Sequence, residues 1–351
     1  MIFRKRRDDE STAVADAGAG VGGVAELVAD GRLDEAIARL SEANRRERNL
    51  EIEIEIRRLR NLRGMELLAD PAVDPSYIEP GGEIPPLGDQ TRIPELTPDE
   101  LTPEVLRASI LQSGCLLVRG LMSTESAERL AADIDRSFAV RDEVGRGGSD
   151  PDGYYDELEP EAPFIIGERA WIQEGGGVLA VDSPRMLFDM LEAFEAAGLR
   201  SVIEGYLGET PAISGQKCTL RKATPDVPGG WHQDGKFMGP VRSLNVWVSL
   251  SRCGDVAPSM DVVPRRLDDY VAVGGEGTML DFQIGEKDAA EAAGDAGIVR
   301  PIFNPGDALL FDHLFLHKTG SDPSMPNARY AIESWFFGPS AYPEHYVPIA
   351  F

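Results

Sequence analysis

Apolar positions in this chain change rhythm twice. From Gly22 to Leu68 they recur at helical spacing: Val24, Leu27 and Val28, then Leu33, Ile37 and Leu40 after Gly31. The stretch Leu50-Glu51-Ile52-Glu53-Ile54-Glu55-Ile56 alternates as a strand would. Its flanks are Arg, Glu and Leu, with no Gly or Pro before Gly64, and these strong helix formers predict a helix instead. Pro71, Pro75, Pro80, Pro85, Pro86 and Pro94 then interrupt any regular element, so residues 70–96 read as a linker. Thr97-Pro98-Asp99-Glu100 has capping-box spacing. Thr102 and Pro103 open a helix through about Ser113, closed by Gly114. Cys115 to Arg119 reads as a strand, and Ser123 or Thr124 caps a second helix to about Phe138. Residues 141–163, rich in Gly and carrying Tyr154 and Tyr155, form a long polar loop and a candidate lid. Helical spacing returns from Arg185 to about Ala197 and from Leu199 to Leu207.

After Pro211 the pattern shortens. Apolar runs separated by Gly, Pro and Asp predict strands at Thr219-Leu220, 243–250, 260–263, 299–303, 308–311, 314–317 and 330–337. Many short strands with such punctuation indicate a sandwich or jelly roll. The predicted organisation is a disordered segment 1–20, a helical extension 21–69, a Pro-rich linker 70–96 and a main domain 97–351. The expected fold class is mainly β with α, a jelly roll with packed helices. The N-terminal helices are expected either to form an oligomerisation arm or to pack on the main domain.

Composition narrows the function. The chain has 351 residues and a net charge of −25. That balance disfavours nucleic acid, whose phosphates need clustered Lys and Arg. Arg4 to Arg7 are basic, but Asp8, Asp9 and Glu10 follow instead of an apolar run, so no signal peptide is expected. No stretch approaches the roughly 18 apolar residues of a membrane span. Cys115, Cys218 and Cys253 are odd in number and widely spaced, which fits a reducing, cytoplasmic setting. The expected partner is a small molecule.

The chemistry centres on Trp231-His232-Gln233-Asp234-Gly235. In extended backbone, side chains two apart point the same way, so His232 and Asp234 can reach one ion while Gln233 faces elsewhere. A second histidine would complete the two-histidine, one-carboxylate face of non-haem Fe(II) sites. His345 sits in a Tyr- and Pro-rich tail and reads as structural, leaving His313 or His317. Gly306-Asp307-Ala308-Leu309-Leu310-Phe311 is a turn and a buried strand, and a second strand would end at His317, beside a loop. That position favours His317, with His313 structural. Arg329 opens the next apolar strand, where a buried guanidinium demands an anionic partner.

From about Thr97 to Phe337 the chain resembles the phytanoyl-CoA dioxygenase-like group of Fe(II)/2-oxoglutarate oxygenases. The resemblance lies in Trp231-His232-Gln233-Asp234, Trp247, Val262-Val263-Pro264, Gly306-Asp307-Ala308-Leu309-Leu310-Phe311, His317 and Arg329. It implies a cupin-like double-stranded β-helix, with Fe(II) held by His232, Asp234 and His317. It also implies 2-oxoglutarate as cosubstrate and O2 as oxidant. Arg329 and Thr319 would meet the distal carboxylate, and Trp247 would wall it. By the spacing found in ectoine hydroxylase, a relative, Lys222 would serve 2-oxoglutarate and Gln216 the substrate. Asp234 stands where related halogenases have Ala or Gly, which implies hydroxylation of a small molecule with release of succinate and CO2. One departure is Arg265-Arg266-Leu267, where the family often has Gly-Ser-His. The alternative reading is a catalytically inactive oxygenase fold acting as a binding scaffold, to which the separate helical N-terminus would belong.

Overall fold

The described residues open with three helices: α1 (Val24–Ala29), α2 (Leu33–Arg46) and α3 (Leu50–Ala69). This computed structural model describes residues 22–72, 83–89, 91–167, 169–226, 229–239 and 241–351. The expected disordered segment 1–20, and part of the linker, lie outside the described residues. The alternating stretch is the start of α3, capped by Asn49, whose side chain accepts from the Ile52 amide at 3.2 Å. Helix prevails over strand because Ile52, Ile56 and Leu59 then share one face, buried with Leu40 and Phe188. α3 also docks on the rest of the chain. Arg57 donates to the carbonyls of Asp156 and Val181 at 2.7 and 2.8 Å, and Asn61 to that of Pro348 at 2.8 Å. Gly64 permits this approach, since a Cβ there would lie 2.7 Å from the Pro348 carbonyl oxygen.

The main body follows its capping signals. α4 (Pro103–Ser113) starts at Thr102, which accepts from the Val105 amide, and ends at Gly114 with φ 79°. α5 (Thr124–Val144) is capped by Ser123 and outruns its expected end at Phe138 by six residues. The short α6 (Arg169–Glu174) is followed by α7 (Pro184–Ala196) and α8 (Leu199–Leu207), with α9 (Gly235–Met238) and α10 (Glu286–Ala293) later in the chain. The candidate lid is corrected by its contacts. Tyr154 and Tyr155 are buried with the helices, Arg57 pairs with Asp156, and the Leu158 amide donates to Asp182.

Among the described residues, ten strands make two sheets. They are β1 (Glu95–Leu96), β2 (Cys115–Val118), β3 (Gly177–Leu179), β4 (Ala212–Ala223), β5 (Ser243–Ser249), β6 (Ser259–Val262), β7 (Ala308–Phe311), β8 (His317–Gly320), β9 (Arg329–Phe337) and β10 (Pro348–Ala350). The eight-stranded sheet runs β1-β2-β7-β5-β9-β4-β10, with β3 added on β4; β6 and β8 form the small sheet. Side chains alternate across the large sheet. Leu220, Val246, Val248, Leu310, Ile332 and Phe336 pack on α5, α7 and α8. Trp247, Leu309, Phe311, Ala331 and Trp335 face the other way, with Met260 and Val262 of the small sheet. Gly306, at φ 94°, lets the turn into β7 pass against Met122, whose carbonyl oxygen would sit 2.1 Å from a Cβ. Asp307 pins that turn by accepting from the Gly120 and Asn304 amides.

Three expectations need correction. Among the described residues, helices hold more than strands, so the fold is mixed α/β and not mainly β. Period-2 patterning marks strands well but understates helices whose apolar face is shared between two layers. Val299 and Phe303 make only isolated bridges, to Val262 and Cys253, and the strand expected to end at His317 instead begins there.

Candidate metal centre

His232, Asp234 and His317 converge. Their ligand atoms all lie within 4.8 Å of one another, and they are such a group among the described residues. Asp234 Oδ2 stands 3.6 Å from His317 Nε2, and the two imidazole centroids are 4.4 Å apart. The backbone brings this about directly. His232 N–H donates to the His317 carbonyl at 3.0 Å, and His317 N–H returns the bond at 3.1 Å. This is a closed antiparallel pair, which holds its two residues side by side. Each ring is also oriented from behind: His232 Nδ1 lies 2.8 Å from the Gly230 carbonyl, and His317 Nδ1 lies 3.0 Å from that of Phe315. With Nδ1–H donating there, Nε2 is left as the ligand atom. Burial, with His232 alongside, pushes the His317 pKa down to about 4, so the ring stays neutral near pH 7.

The neighbouring motif residues brace this arrangement. Gln233 faces away, as alternation predicts, and is fully buried; its amide donates to the Leu314 carbonyl and accepts from the Val271 amide. Trp231 Nε1 donates to Glu286 at 2.7 Å, and Lys318 bonds the same carboxylate while lying over the indole ring. His313 is bound through Nδ1 to Ser243 at 3.0 Å and is absent from the metal group. His345 is exposed at φ 63°. Arg266 is engaged with Asp312 at 2.6 Å.

Arg329 is 2% exposed. Its Nη1 donates to the Ser259 carbonyl at 3.1 Å, its Nη2 stands 3.6 Å from Glu333, and its Nε has no partner. Its guanidinium lies 5.4 Å from the centre of the Trp247 ring. Thr319 lies two along β8 from His317, hence on the same face, against Gly229. Its hydroxyl has no hydrogen bond among the described residues. Gln216 accepts from the Gly167 amide at 3.0 Å.

Lys222 is the exception. It bonds Asp135 of α5 at 2.6 Å and lies over Tyr330, on the helix-packed face with Leu220 and Ile332. The cause is a register shift between Ile213 and Cys218 in β4, which turns Lys217, Thr219 and Arg221 toward the metal residues instead. Sequence spacing alone could not reveal these or Glu333. Arg221 is paired with Glu333 at 2.9 Å. Burial would raise the Glu333 pKa, but Arg221 and Arg329 outweigh it and hold the carboxyl below its ordinary value. Among the described residues Lys217 has only a ring contact, 4.0 Å from the centre of Phe237, and burial lowers its pKa against the pull of Asp234 and Glu333. Phe237 stacks edge-on with Phe282, which lies beside His232. A separate cavity of about 780 Å³, lined by Arg141, Arg146, Tyr155 and Gln173, includes none of the metal residues.

No family model matches the chain, and no curated protein matches it in sequence. Among solved structures, EctD from S. alaskensis with 2-oxoglutarate and 5-hydroxyectoine overlays with a TM-score of 0.51 at 19% identity, covering 77% of this chain and 88% of that one. AviO1 from Streptomyces viridochromogenes Tue57 gives 0.43 at 14% identity, over 69% and 98%. The epimerase SnoN, in complex with Fe3+, alpha ketoglutarate and nogalamycin RO, gives 0.47 at 16% identity, over 69% and 86%. The likeness to EctD is one of fold: this chain shares with it a large sheet, and the helices and strands packed on that sheet.

Proposed function

We propose that this protein is an Fe(II)- and 2-oxoglutarate-dependent oxygenase on a double-stranded β-helix, which hydroxylates a small molecule and releases succinate and CO2. One juxtaposition carries the reading. Two imidazoles and a carboxylate meet within 4.8 Å, and a buried arginine with an unpaired Nε lies on the same side of the sheet. Glu333 links the two, acting electrostatically on both Arg329 and His317.

The donors fit the group. Two neutral nitrogens and one carboxylate on one face suit ferrous iron, with positions left for a keto acid and O2. A buried guanidinium with one donor, Nε, left without a partner fits the far carboxylate of 2-oxoglutarate, since a buried donor left unmet is costly. The fold likeness supports the same cosubstrate, because the EctD structure contains 2-oxoglutarate. When bound, the ion and cosubstrate supply the oxidising chemistry. The chain supplies position and dryness. His232, Asp234 and His317 would hold the ion. Arg329, with Trp247 against its face, would fix the cosubstrate, and Thr319, on the same face of β8 as His317, offers a hydroxyl. Phe282 and Phe237 give the His232 side an apolar wall. A carboxylate at 234 favours hydroxylation over halogenation.

The test is anaerobic reconstitution with Fe(II) and 2-oxoglutarate. A weak visible charge-transfer band is expected, and folded protein that develops none overturns the proposal.

A further inference from the structure

We infer that the substrate carries a small anionic group, of the carboxylate kind, and that Lys217 is the residue that binds it. This deepens the oxygenase reading and rests on it. Lys217 sits in β4 between Ile213 and Cys218, where the ladder to β9 loses register. Bulges of this kind re-aim side chains beside active sites. Its half-buried ammonium lies 4.0 Å from the centre of the Phe237 ring, on the short helix that follows Asp234. Among the described residues it has neither a hydrogen bond nor an ion pair.

Its neighbours are otherwise engaged. Arg221 is bonded to Glu333 and to the Gly175 carbonyl, and Arg329 to the Ser259 carbonyl with Glu333 beside it. Lys222 and Lys318, farther out, have Asp135 and Glu286. A partly desolvated ammonium with unmet donors is costly unless a ligand meets them.

Charge balance points the same way. The floor of the site holds three cations, Lys217, Arg221 and Arg329, against two carboxylates, Asp234 and Glu333. A divalent ion and a dianionic cosubstrate cancel each other. One positive charge is left over. A single ammonium matches a monoanion; a phosphate would need a richer donor set. Phe237 and Phe282 supply an apolar wall for the rest of the molecule.

The experiment is titration calorimetry of the full chain loaded with Mn(II) and 2-oxoglutarate. The probes are straight-chain and aryl carboxylic acids, each paired with its own primary amide. Acids are expected to bind, with the amides weaker by about tenfold or more. Lys217→Gln should abolish the preference and leave 2-oxoglutarate affinity unchanged, while Lys217→Arg keeps most of the preference. Three results overturn the inference: no acid binds, acids and amides bind alike, or Lys217→Gln weakens 2-oxoglutarate instead. Failure of the oxygenase reading is distinguishable, because it appears as a missing band with Fe(II) and 2-oxoglutarate, whereas the acid preference is read without turnover.

Discussion

At the scale of single residues, the site depends on groups whose partners lie far away in sequence. Arg329→Ala is expected to weaken 2-oxoglutarate by about tenfold or more in anaerobic titrations of the charge-transfer band. Lys222→Ala should leave that affinity unchanged, because its ammonium is spent on Asp135. Equal losses in the two variants would reverse their assignment. The contrast shows what was legible beforehand. His232 and Asp234 announce themselves by a spacing of two, and His317 by its place beside a loop. Arg329 is conspicuous as an arginine at the start of a mostly apolar strand. Lys222, placed by the spacing of a relative, bonds Asp135 instead, because the register shift in β4 changes which side chains face the metal residues. Glu333 and Arg221 look like surface charges until β4 and β9 pair.

At the scale of elements, local signals and tertiary contacts mostly agree. Thr102, Ser123 and Gly114 end their helices where capping rules predict. Where they disagree, packing decides. Leu50–Ile56 carries a strand's alternation but forms α3, because its flanks favour helix and the body of the chain needs that face. Gly64 sharpens the point. On propensity alone, Gly64→Ala should stabilise α3 by about 1 kcal/mol. Against Pro348 the added methyl has no room, and a net loss of about 1–3 kcal/mol is expected in urea unfolding. A gain would mean that α3 is not held against β10. Leu59→Ala, at a fully buried position of the same helix, should cost about 2–5 kcal/mol.

At the scale of the whole molecule, the large sheet separates two tasks. One face packs on helices and carries much of the core, and the other faces the small sheet across the metal residues. No helix among the described residues is long and apolar enough to cross a membrane. Because binding selects the folded chain, saturating Mn(II) at about a hundredfold over Kd should add about 2.7 kcal/mol to stability. A chelator should reverse the gain, and His317→Ala should lack it; an equal thermal shift in that variant would exclude His317 as a ligand. The doubled bond between the backbones of His232 and His317 has a further consequence. Two donor groups from chain positions 85 apart are locked by the polypeptide itself, before any ion arrives. Hydrogen exchange at these two amides should therefore be slow even in apoprotein, and the pocket should accept its ion without a preceding rearrangement.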